Sequence, residues 1–267
     1  MIALLATNLA IMLGLFVALW GLSVVLKNAS IVDIAWGVAC ALPAFLTWLR
    51  SDGAEPRATL LMVLAAIWGV RLATYLAIRN IGHGEDYRYA AMRQKAGGDS
   101  KFAMSSLVSV FILQCLIAFF VSLPSQVGQF GSSTLLGTGS GALGIVAYIG
   151  VAVFALGLVF EAIGDAQLRA FKKKPENKGK LMDQGLWAWT RHPNYFGDAA
   201  VWTGLTLTAL ESQYGFLTVL SPALMIYFLY AVSGKAMLER SMSKRYKDYE
   251  SYKKRVSGFF PRPPAKK

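Results

Sequence analysis

Long apolar runs constrain this chain more than any other feature. Most of them approach the ~20 residues that an α-helix needs to cross a bilayer. The runs are Ile2–Leu26, Ile31–Leu49, Ala58–Ile78, Ala103–Val127, Ala142–Gly164, Phe196–Ala209 and Phe216–Val232. Only 16% of the residues are charged and 55% are hydrophobic, a balance typical of membrane proteins rather than of soluble domains. The sequence therefore predicts an all-α integral membrane bundle of about seven transmembrane helices, forming a single membrane domain over residues 1–267.

Basic residues predict the orientation of this bundle. The chain has 27 Lys+Arg and a formal net charge of +12, and the excess lies in alternate segments between the apolar runs. Short loops rich in Lys and Arg stay in the cytoplasm, so we expect loops 79–101 and 165–195 and the C-terminus inside, and the N-terminus outside. Residues 235–256 place apolar side chains near one side of a helix and basic ones elsewhere, which predicts an interfacial tail helix.

The charge excess also bears on the partners. A strongly basic chain can bind nucleic acid, but here topology explains the excess, which would face anionic lipid head groups. We therefore expect membrane lipids and no nucleic acid as partners, and the sequence indicates no protein partner. A metal site is not expected either, because Cys40 and Cys115 lie inside apolar runs and His83 and His192 are the only histidines.

Ionisable residues inside the apolar runs are the first candidates for function, because a charge in a bilayer is costly. They are Asp33, Arg71, Glu161 and Asp198, with Asp165 and Arg169 continuing the fifth run to its cytoplasmic boundary. With the predicted orientation, all six lie in the cytoplasmic half of the bundle and predict one polar cavity open to the cytoplasm. A structural alternative remains, in which Arg71 neutralises Asp33 or Glu161 and holds helices together.

The stretch GLWAWTRHPNYFGD, Gly185–Asp198, leads into the sixth run. Its Pro193 suits the first turn of a helix, and the free N–H groups and dipole of a helix start attract an anion. Arg191 adds a planar donor suited to phosphate or carboxylate, while His192 and Asn194 add hydrogen-bonding groups. An interfacial belt explains the aromatic residues and the arginine, but not a Pro-Asn helix start followed by an acid, so we favour an anionic cofactor site.

Several segments resemble the steroid 5-alpha-reductase superfamily, and most closely its bacterial branch. They are GDAQLRAFK (Gly164–Lys172), the GLWAWTRHPNYFGD stretch, the tail ending in FFPRPP, and VDIAWG, WGVRLATYL and GEDYRY nearer the N-terminus. The resemblance implies NADPH as the cofactor and a bacterial inner membrane as the location. It carries the NADPH contacts of the reductases onto Asp165, Arg169, Asn194, Tyr195, Gly197 and Asp198.

The chain departs from the reductase pattern at the substrate. By spacing, Asp33 falls near a glutamate and Trp68 near a tyrosine that together polarise the substrate carbonyl in steroid reductases. Glu161 likewise stands where the cofactor side has an asparagine. An indole N–H donates a hydrogen bond but is no practical proton donor. We therefore expect a lipid-like substrate, steroid- or isoprenoid-type, rather than a steroid enone in particular.

Together the residues and the resemblance predict transfer of a hydride from NADPH to a polarised C=C bond. Arg169, Arg191 and the helix start would hold phosphates, and Asp165, Asn194 and Asp198 would hold the nicotinamide or sugar hydroxyls. Glu161, His192 and Tyr195 complete the expected cofactor site. Asp33, with Arg71 or Tyr75, would polarise and protonate the substrate.

Two alternatives stay open. The Arg-His-Pro-x-Tyr start at 191–195 and the tail Leu238–Pro261 also resemble the isoprenylcysteine carboxyl methyltransferases, which implies S-adenosylmethionine in the pocket. The tail of those enzymes usually carries paired acids, whereas here Glu239 is followed by Arg240. A lipid-binding membrane protein without catalysis is the other alternative.

Overall fold

The computed structural model describes residues 1–51, 56–131, 142–232 and 235–265. Of the described residues 78% are helical and none lies in a strand, so the all-α prediction is confirmed. The α-helices are α1 Ile2–Leu26, α2 Ile31–Arg50, α3 Pro56–Asn80, α4 Tyr87–Ala96, α5 Asp99–Ser106, α6 Leu113–Val121, α7 Leu123–Val127, α8 Ile145–Lys173, α9 Pro193–Ala209, α10 Leu220–Tyr227, α11 Lys235–Arg245 and α12 Tyr249–Arg255. A π-helical turn, Leu107–Ile112, joins α5 to α6.

Five helical segments in the described part of the chain are long and apolar enough to cross a membrane. They are Ile2–Leu26, Ile31–Arg50, Pro56–Asn80, Asp99–Val121 and Ile145–Lys173. These segments correspond to the first five apolar runs. Membrane spanning is thus supported for five runs rather than for the seven predicted, and the orientation of the termini stays a prediction.

The last two apolar runs fold into shorter pieces. Helix α9 has 17 residues, or about 25 Å at 1.5 Å per residue, less than the ~30 Å hydrocarbon core of a bilayer. The seventh run is divided into a 3₁₀ turn at Gly215–Thr218, helix α10 and a π-helical turn at Phe228–Val232. Hydropathy alone did not distinguish these broken segments from continuous spans.

Two compact units are distinguished in the chain, and the single membrane domain over residues 1–267 stays a prediction. The first unit comprises Met1–Ala147 and Thr208–Ser221, and the second comprises Tyr148–Leu207 and Pro222–Lys267. Each unit has its own buried residues and its own candidate site residues, and each is described below by itself.

Buried polar side chains hold the first unit together. Asn8 is fully buried and donates to the Pro43 carbonyl oxygen at 3.2 Å, to Thr47 Oγ1 at 2.8 Å and to Gln126 Oε1 at 3.0 Å. Such interhelical hydrogen bonds are favoured in lipid because no water is available to satisfy the groups. Helices α2 and α3 approach closely, since a Cβ added at Gly69 would meet the backbone of α2.

Two buried charges of the first unit were not recognised in the sequence. Arg57 is 3% exposed and donates to the carbonyl oxygens of Gly128 at 2.9 Å and Gly131 at 2.7 Å. Glu211 is 1% exposed and accepts hydrogen bonds from the N–H groups of Gly144 at 2.9 Å and Ala147 at 2.8 Å, at the start of α8. Both side chains satisfy backbone groups that neighbouring helices leave open.

Glycines bring the backbones of α8 and α9 into contact in the second unit. A Cβ added at Gly197 would lie 2.6 Å from the Gly157 carbonyl oxygen and 2.7 Å from Glu161 Cγ. Two turns further along α9, a Cβ added at Gly204 would lie 2.5 Å from the Gly150 carbonyl oxygen. Small residues at a helix interface permit this kind of close approach in membranes. The contact sets which side chains of α8 face α9.

The tail forms two helices, α11 and α12, where one helix was predicted over residues 235–256. Tyr249, Tyr252 and Val256 form a buried cluster against which Leu181 and Met242 pack. The apolar stripe that predicted an interfacial helix therefore packs largely on the protein itself. Sequence periodicity shows that a helix has an apolar side, but not whether that side meets lipid or protein.

Replacing Gly197 by alanine is expected to lower the melting temperature of the purified protein in detergent. The new methyl group would meet the Gly157 backbone, and overpacking of this kind costs about 1–3 kcal/mol. Gly14→Ala on α1 is the matched control, because nothing lies within 4 Å of its added Cβ and alanine favours a helix over glycine. Equal melting temperatures for the two variants would contradict the close contact of α8 and α9.

Candidate functional site

Polar side chains meet where α8 crosses the start of α9. Glu161 and Asp165, one turn apart on α8, are 3% and 5% exposed. Asn194 Nδ2 donates to Asp165 Oδ1 over a long 3.5 Å, and the added-Cβ position at Gly164 lies 3.1 Å from Pro193. The structure thus brings together two segments of the predicted cofactor site that are 29 residues apart.

The charge along α8 changes sign beyond this crossing. Glu161 and Asp165 are buried acids, whereas Arg169 and the Lys172–Lys174 run, one to two turns further on, are exposed. Asp198, on the second turn of α9, is half-buried. Carboxylates accept hydrogen bonds from hydroxyl and amide groups, and exposed guanidinium and ammonium groups bind phosphates. A ligand with polar uncharged groups at one end and anionic groups at the other matches this sequence of charges.

Arg191 lies in a different environment from the predicted phosphate site. Its Nε donates to Glu239 Oε1 at 2.9 Å, and its Nη1 donates to the carbonyl oxygens of Lys253 at 3.1 Å and Val256 at 2.7 Å. The last two bonds satisfy carbonyl groups at the end of α12, as cations near helix C-termini commonly do. The guanidinium therefore holds the tail onto the loop that precedes α9.

His192 shares the same tail carboxylate. Its Nε2 lies 3.2 Å from Glu239 Oε1, and its ring stacks on the Tyr195 ring with centroids 5.2 Å apart and planes inclined by 5°. Glu239 is a site residue that sequence reasoning missed, although it is the first acid of the tail segment on which the methyltransferase resemblance rests. The signal was weak because 47 residues separate the two side chains.

Glu239 is strongly stabilised as an anion. Burial by itself would raise the pKa of its carboxyl group, but hydrogen bonds from His192 and Arg191 outweigh burial and lower the pKa to about 2. Close by, burial raises the pKa of Tyr249 to about 12. At neutral pH the cluster therefore contains an ionised carboxylate and a neutral phenol.

An apolar groove of about 630 Å³ lies on another side of α9. Its walls are Val153 and Leu156 of α8, Phe196, Ala199, Ala200 and Thr203 of α9, Ile226 and Tyr230, and the tail segment 257–260. The volume falls within the range of ~300–1,000 Å³ typical of small-molecule sites. One side of α9 thus presents Asn194 to the α8 crossing, and another side presents mainly apolar residues to this groove.

In the first unit, Asp33 is held by residues that the sequence had not paired with it. Arg88 Nη2 donates to Asp33 Oδ2 at 2.7 Å, and the Tyr89 hydroxyl donates to Asp33 Oδ1 at 2.6 Å. Gln114 Nε2 in turn donates to the Tyr89 oxygen at 3.1 Å. Burial, followed by the neighbouring Asp33 charge, raises the pKa of Tyr89 well above its usual range. These contacts make Asp33 the centre of a hydrogen-bonded network.

Neighbouring contacts fasten the GEDYRY segment, Gly84–Tyr89, to the start of α2. Glu85 Oε1 accepts a hydrogen bond from the Ala29 N–H at 2.8 Å, and the Asp86 N–H donates to Ser30 Oγ at 2.6 Å. This segment was predicted as part of a loop. It contacts residues 29–33 through four hydrogen bonds, and Asp33 accepts two of them. This geometry favours a structural role for Asp33, with Arg88 as the cation.

Arg71 and Tyr75 lie together on α3. The Arg71 guanidinium carbon is 5.6 Å from the centroid of the Tyr75 ring, and that of Arg79 is 5.8 Å from it. Stacking of this kind keeps a cation beside an aromatic face. The contacts described here tie Arg71 and Tyr75 to each other, and their predicted catalytic roles with Asp33 stay predictions.

Comparisons with known proteins cover most of the chain. Residues 19–256 match a family described as a protein of unknown function, DUF1295. An uncharacterised protein of Schizosaccharomyces pombe is 26% identical over 91% of this chain and 76% of its own length. The probable O-methyltransferase ustE of Ustilaginoidea virens is 34% identical over 36% of this chain and 32% of its own length. No solved structure matches the chain.

The Asp33→Asn variant is expected to melt at a lower temperature than the wild type. The substitution removes a charged hydrogen-bond acceptor from Arg88 and Tyr89, a loss on the order of 2 kcal/mol. Tyr87→Phe is the control, since it changes a phenol of the same segment that is 67% exposed. An unchanged melting temperature for Asp33→Asn, combined with lost turnover, would return Asp33 to the catalytic assignment.

Acid is expected to weaken the attachment of the tail. Because the folded pKa of Glu239 is about 2 and its ordinary value is 4.5, its stabilising contribution is present above pH 4.5 and is lost as the pH falls from there towards 2. Glu239→Gln should lower the melting temperature at neutral pH and flatten its acid dependence between these values. The exposed Glu176→Gln should follow the wild-type profile, and a wild-type profile for Glu239→Gln would contradict the role of the carboxylate.

Proposed function

We propose that this chain, which belongs to the DUF1295 family, is a membrane reductase that uses NADPH. Its reaction would be the reduction of a polarised C=C bond in a lipid-like substrate of steroid or isoprenoid type. The observation that carries the proposal is the meeting of Asp165 and Asn194 at the crossing of α8 and α9. These residues belong to the two segments on which the implied NADPH contacts rest.

The chemistry of the crossing suits the two ends of NADPH differently. The nicotinamide amide and the sugar hydroxyls would donate hydrogen bonds to the carboxylates of Glu161, Asp165 and Asp198. The amide of Asn194 would both donate and accept. Arg169 and the Lys172–Lys174 run are exposed further along α8 and would hold the phosphates. When bound, NADPH would supply the hydride, and the protein would supply orientation and electrostatics.

Arg191 and His192 take a supporting part in this proposal. The Arg191 donors are engaged by Glu239 and by carbonyl oxygens of the tail, so the proposal no longer relies on Arg191 for phosphate binding. His192 stacks on Tyr195 and would fix the orientation of the tyrosine beside Asn194. The predicted orientation of the chain would place this site in the cytoplasm of a bacterial cell, where NADPH is available.

The apolar groove supports a lipid-like substrate. Its lining is almost entirely apolar, which suits the hydrocarbon part of such a substrate. This hydrocarbon part would contact the groove side of α9, whereas Asn194 and Asp198 lie on another side of the same turns. Asp33 is held by Arg88 and Tyr89 in the first unit, and its proposed role with Arg71 and Tyr75, to polarise and protonate the substrate, is supported by the sequence and not by this groove.

A methyltransferase that uses S-adenosylmethionine is the second candidate. The 34% identity to a probable O-methyltransferase favours it, and so does the contact of Arg191 with Glu239, which joins the two segments that resemble methyltransferases. The acids of the crossing would attract a sulfonium cation. S-adenosylmethionine carries no phosphates, however, and so would leave the exposed cations at 169 and 172–174 without a ligand group. We therefore place NADPH first.

Binding of NADPH is expected to raise the melting temperature of the purified full-length protein, because a ligand that binds only the folded state stabilises it. Asn194→Ala should abolish the increase, and Arg169→Gln should shift it to at least tenfold higher NADPH concentration, the effect of losing about 1.4 kcal/mol of phosphate binding. Gln184→Ala removes an exposed amide from the loop between α8 and α9. It is the matched control and should behave as the wild type.

The same titration with S-adenosylmethionine separates the two candidates. Stabilisation by S-adenosylmethionine and none by NADPH would assign the site to a methyltransferase. Stabilisation by neither compound, in a protein that still melts cooperatively, would support a lipid-binding protein without catalysis. Stabilisation by NADPH that survives Asn194→Ala would place the cofactor elsewhere in the molecule.

A further inference from the structure

Exposed cations are concentrated on the second unit. Six exposed Lys or Arg side chains lie within residues 169–180 and six within 240–262, whereas the exposed acids of this unit are Glu176, Asp248 and Glu250. The ion pairs of the tail use other, less exposed cations: Arg191, Lys253 and Arg255. The surface is therefore strongly positive, and neighbouring acids of the unit do little to balance it.

This basic surface begins at the end of a membrane-spanning helix. Lys172 and Lys173 form the last turn of α8, and Asn177 Nδ2 donates to the Phe171 carbonyl oxygen at 3.0 Å, which folds the following loop back onto that end. Leu181 then packs on the buried tyrosines of α12. The two groups of cations thus belong to one packed surface, at the level where a spanning helix leaves the hydrocarbon core.

Exposed aromatic side chains lie beside the same surface. Trp189 is 46% and Phe260 is 72% exposed, and the Arg262 N–H donates to the Trp189 carbonyl oxygen at 3.1 Å. Aromatic residues next to arginine are typical of the lipid head-group region. Their position independently indicates that the cations lie near head groups rather than in bulk solvent.

The buried cluster leaves α12 without an apolar side that could enter the membrane. Tyr249, Tyr252 and Val256 are 2–3% exposed, because they pack within the protein. An interfacial helix of the usual kind inserts its apolar side among the acyl chains, whereas this tail presents mainly positive charge. Contacts from Arg191 to Glu239 and to the end of α12 hold it in place.

From this arrangement we propose that the exposed cations of the tail, residues 240–262, together with Lys178 and Lys180 of the loop that packs on it, bind the head groups of anionic phospholipids. The attraction is electrostatic, so it requires a net negative head group and does not require insertion of the tail. Zwitterionic phosphatidylcholine offers no net charge and is a poor ligand. These cations are other than Arg169 and Lys172–Lys174, which are proposed to hold the NADPH phosphates, so this binding does not depend on the identity of the cofactor.

Titration of the purified full-length protein in detergent micelles with fluorescent phosphatidylglycerol and phosphatidylcholine tests the proposal. Phosphatidylglycerol should bind more tightly, and added NaCl should weaken its binding by screening. The double variant Arg245→Gln/Lys247→Gln should weaken it roughly fivefold per cation removed. Lys95→Gln/Lys101→Gln, which removes two exposed cations of the first unit, is the matched control and should have a smaller effect.

Three results would overturn the proposal. Equal binding of the two lipids would show that head-group charge is not recognised. Equal weakening by the two double variants would show that total charge acts, rather than this surface. Displacement of phosphatidylglycerol by inorganic phosphate, at an ionic strength matched with NaCl, would show a site for a soluble anion instead of a lipid surface.

Discussion

The second unit depends on the contact between the backbones of α8 and α9. At Gly157 and Gly197 there is no room for a methyl group, so the two helices meet at a distance that side chains would otherwise prevent. Because the backbones touch, Glu161 and Asp165 lie against the first turns of α9 instead of facing lipid. The side of α9 that does not face these acids forms a wall of the apolar groove. One contact therefore separates a polar side from an apolar side of the same helix.

The tail contributes a second constraint through a single carboxylate. Glu239 receives hydrogen bonds from Arg191 and His192, the two residues that immediately precede α9. The start of α9 is thus fixed from one side by α8 and from another by the tail. An arginine that sequence reasoning assigned to a ligand is engaged in this attachment, which moves the expected phosphate contacts outward to exposed cations on α8.

The sequence predicted the elements whose cause is local and missed those whose cause is distant. Apolar runs identified the five spanning helices, because length and hydropathy are sufficient for that purpose. The neighbourhood of Asp165 and Asn194 followed from a resemblance rather than from spacing. The partners of Asp33 were missed because Arg88 and Tyr89 lie 55 and 56 residues away. The glycines at 150, 157 and 164 and at 197 and 204 carried a seven-residue repeat that indicates close helix packing, and that signal was available in the sequence.

Glu211 accepts hydrogen bonds from the N–H groups of Gly144 and Ala147, and these bonds affect the macrodipole of α8. A carboxylate at its beginning and Lys172 and Lys173 in its last turn compensate both ends of the helix macrodipole. Such compensation confines the field of the helix to its termini, far from its middle. A ligand beside Glu161 and Asp165 would then meet chiefly the charges of the side chains immediately around it, and little of the field of this 29-residue helix.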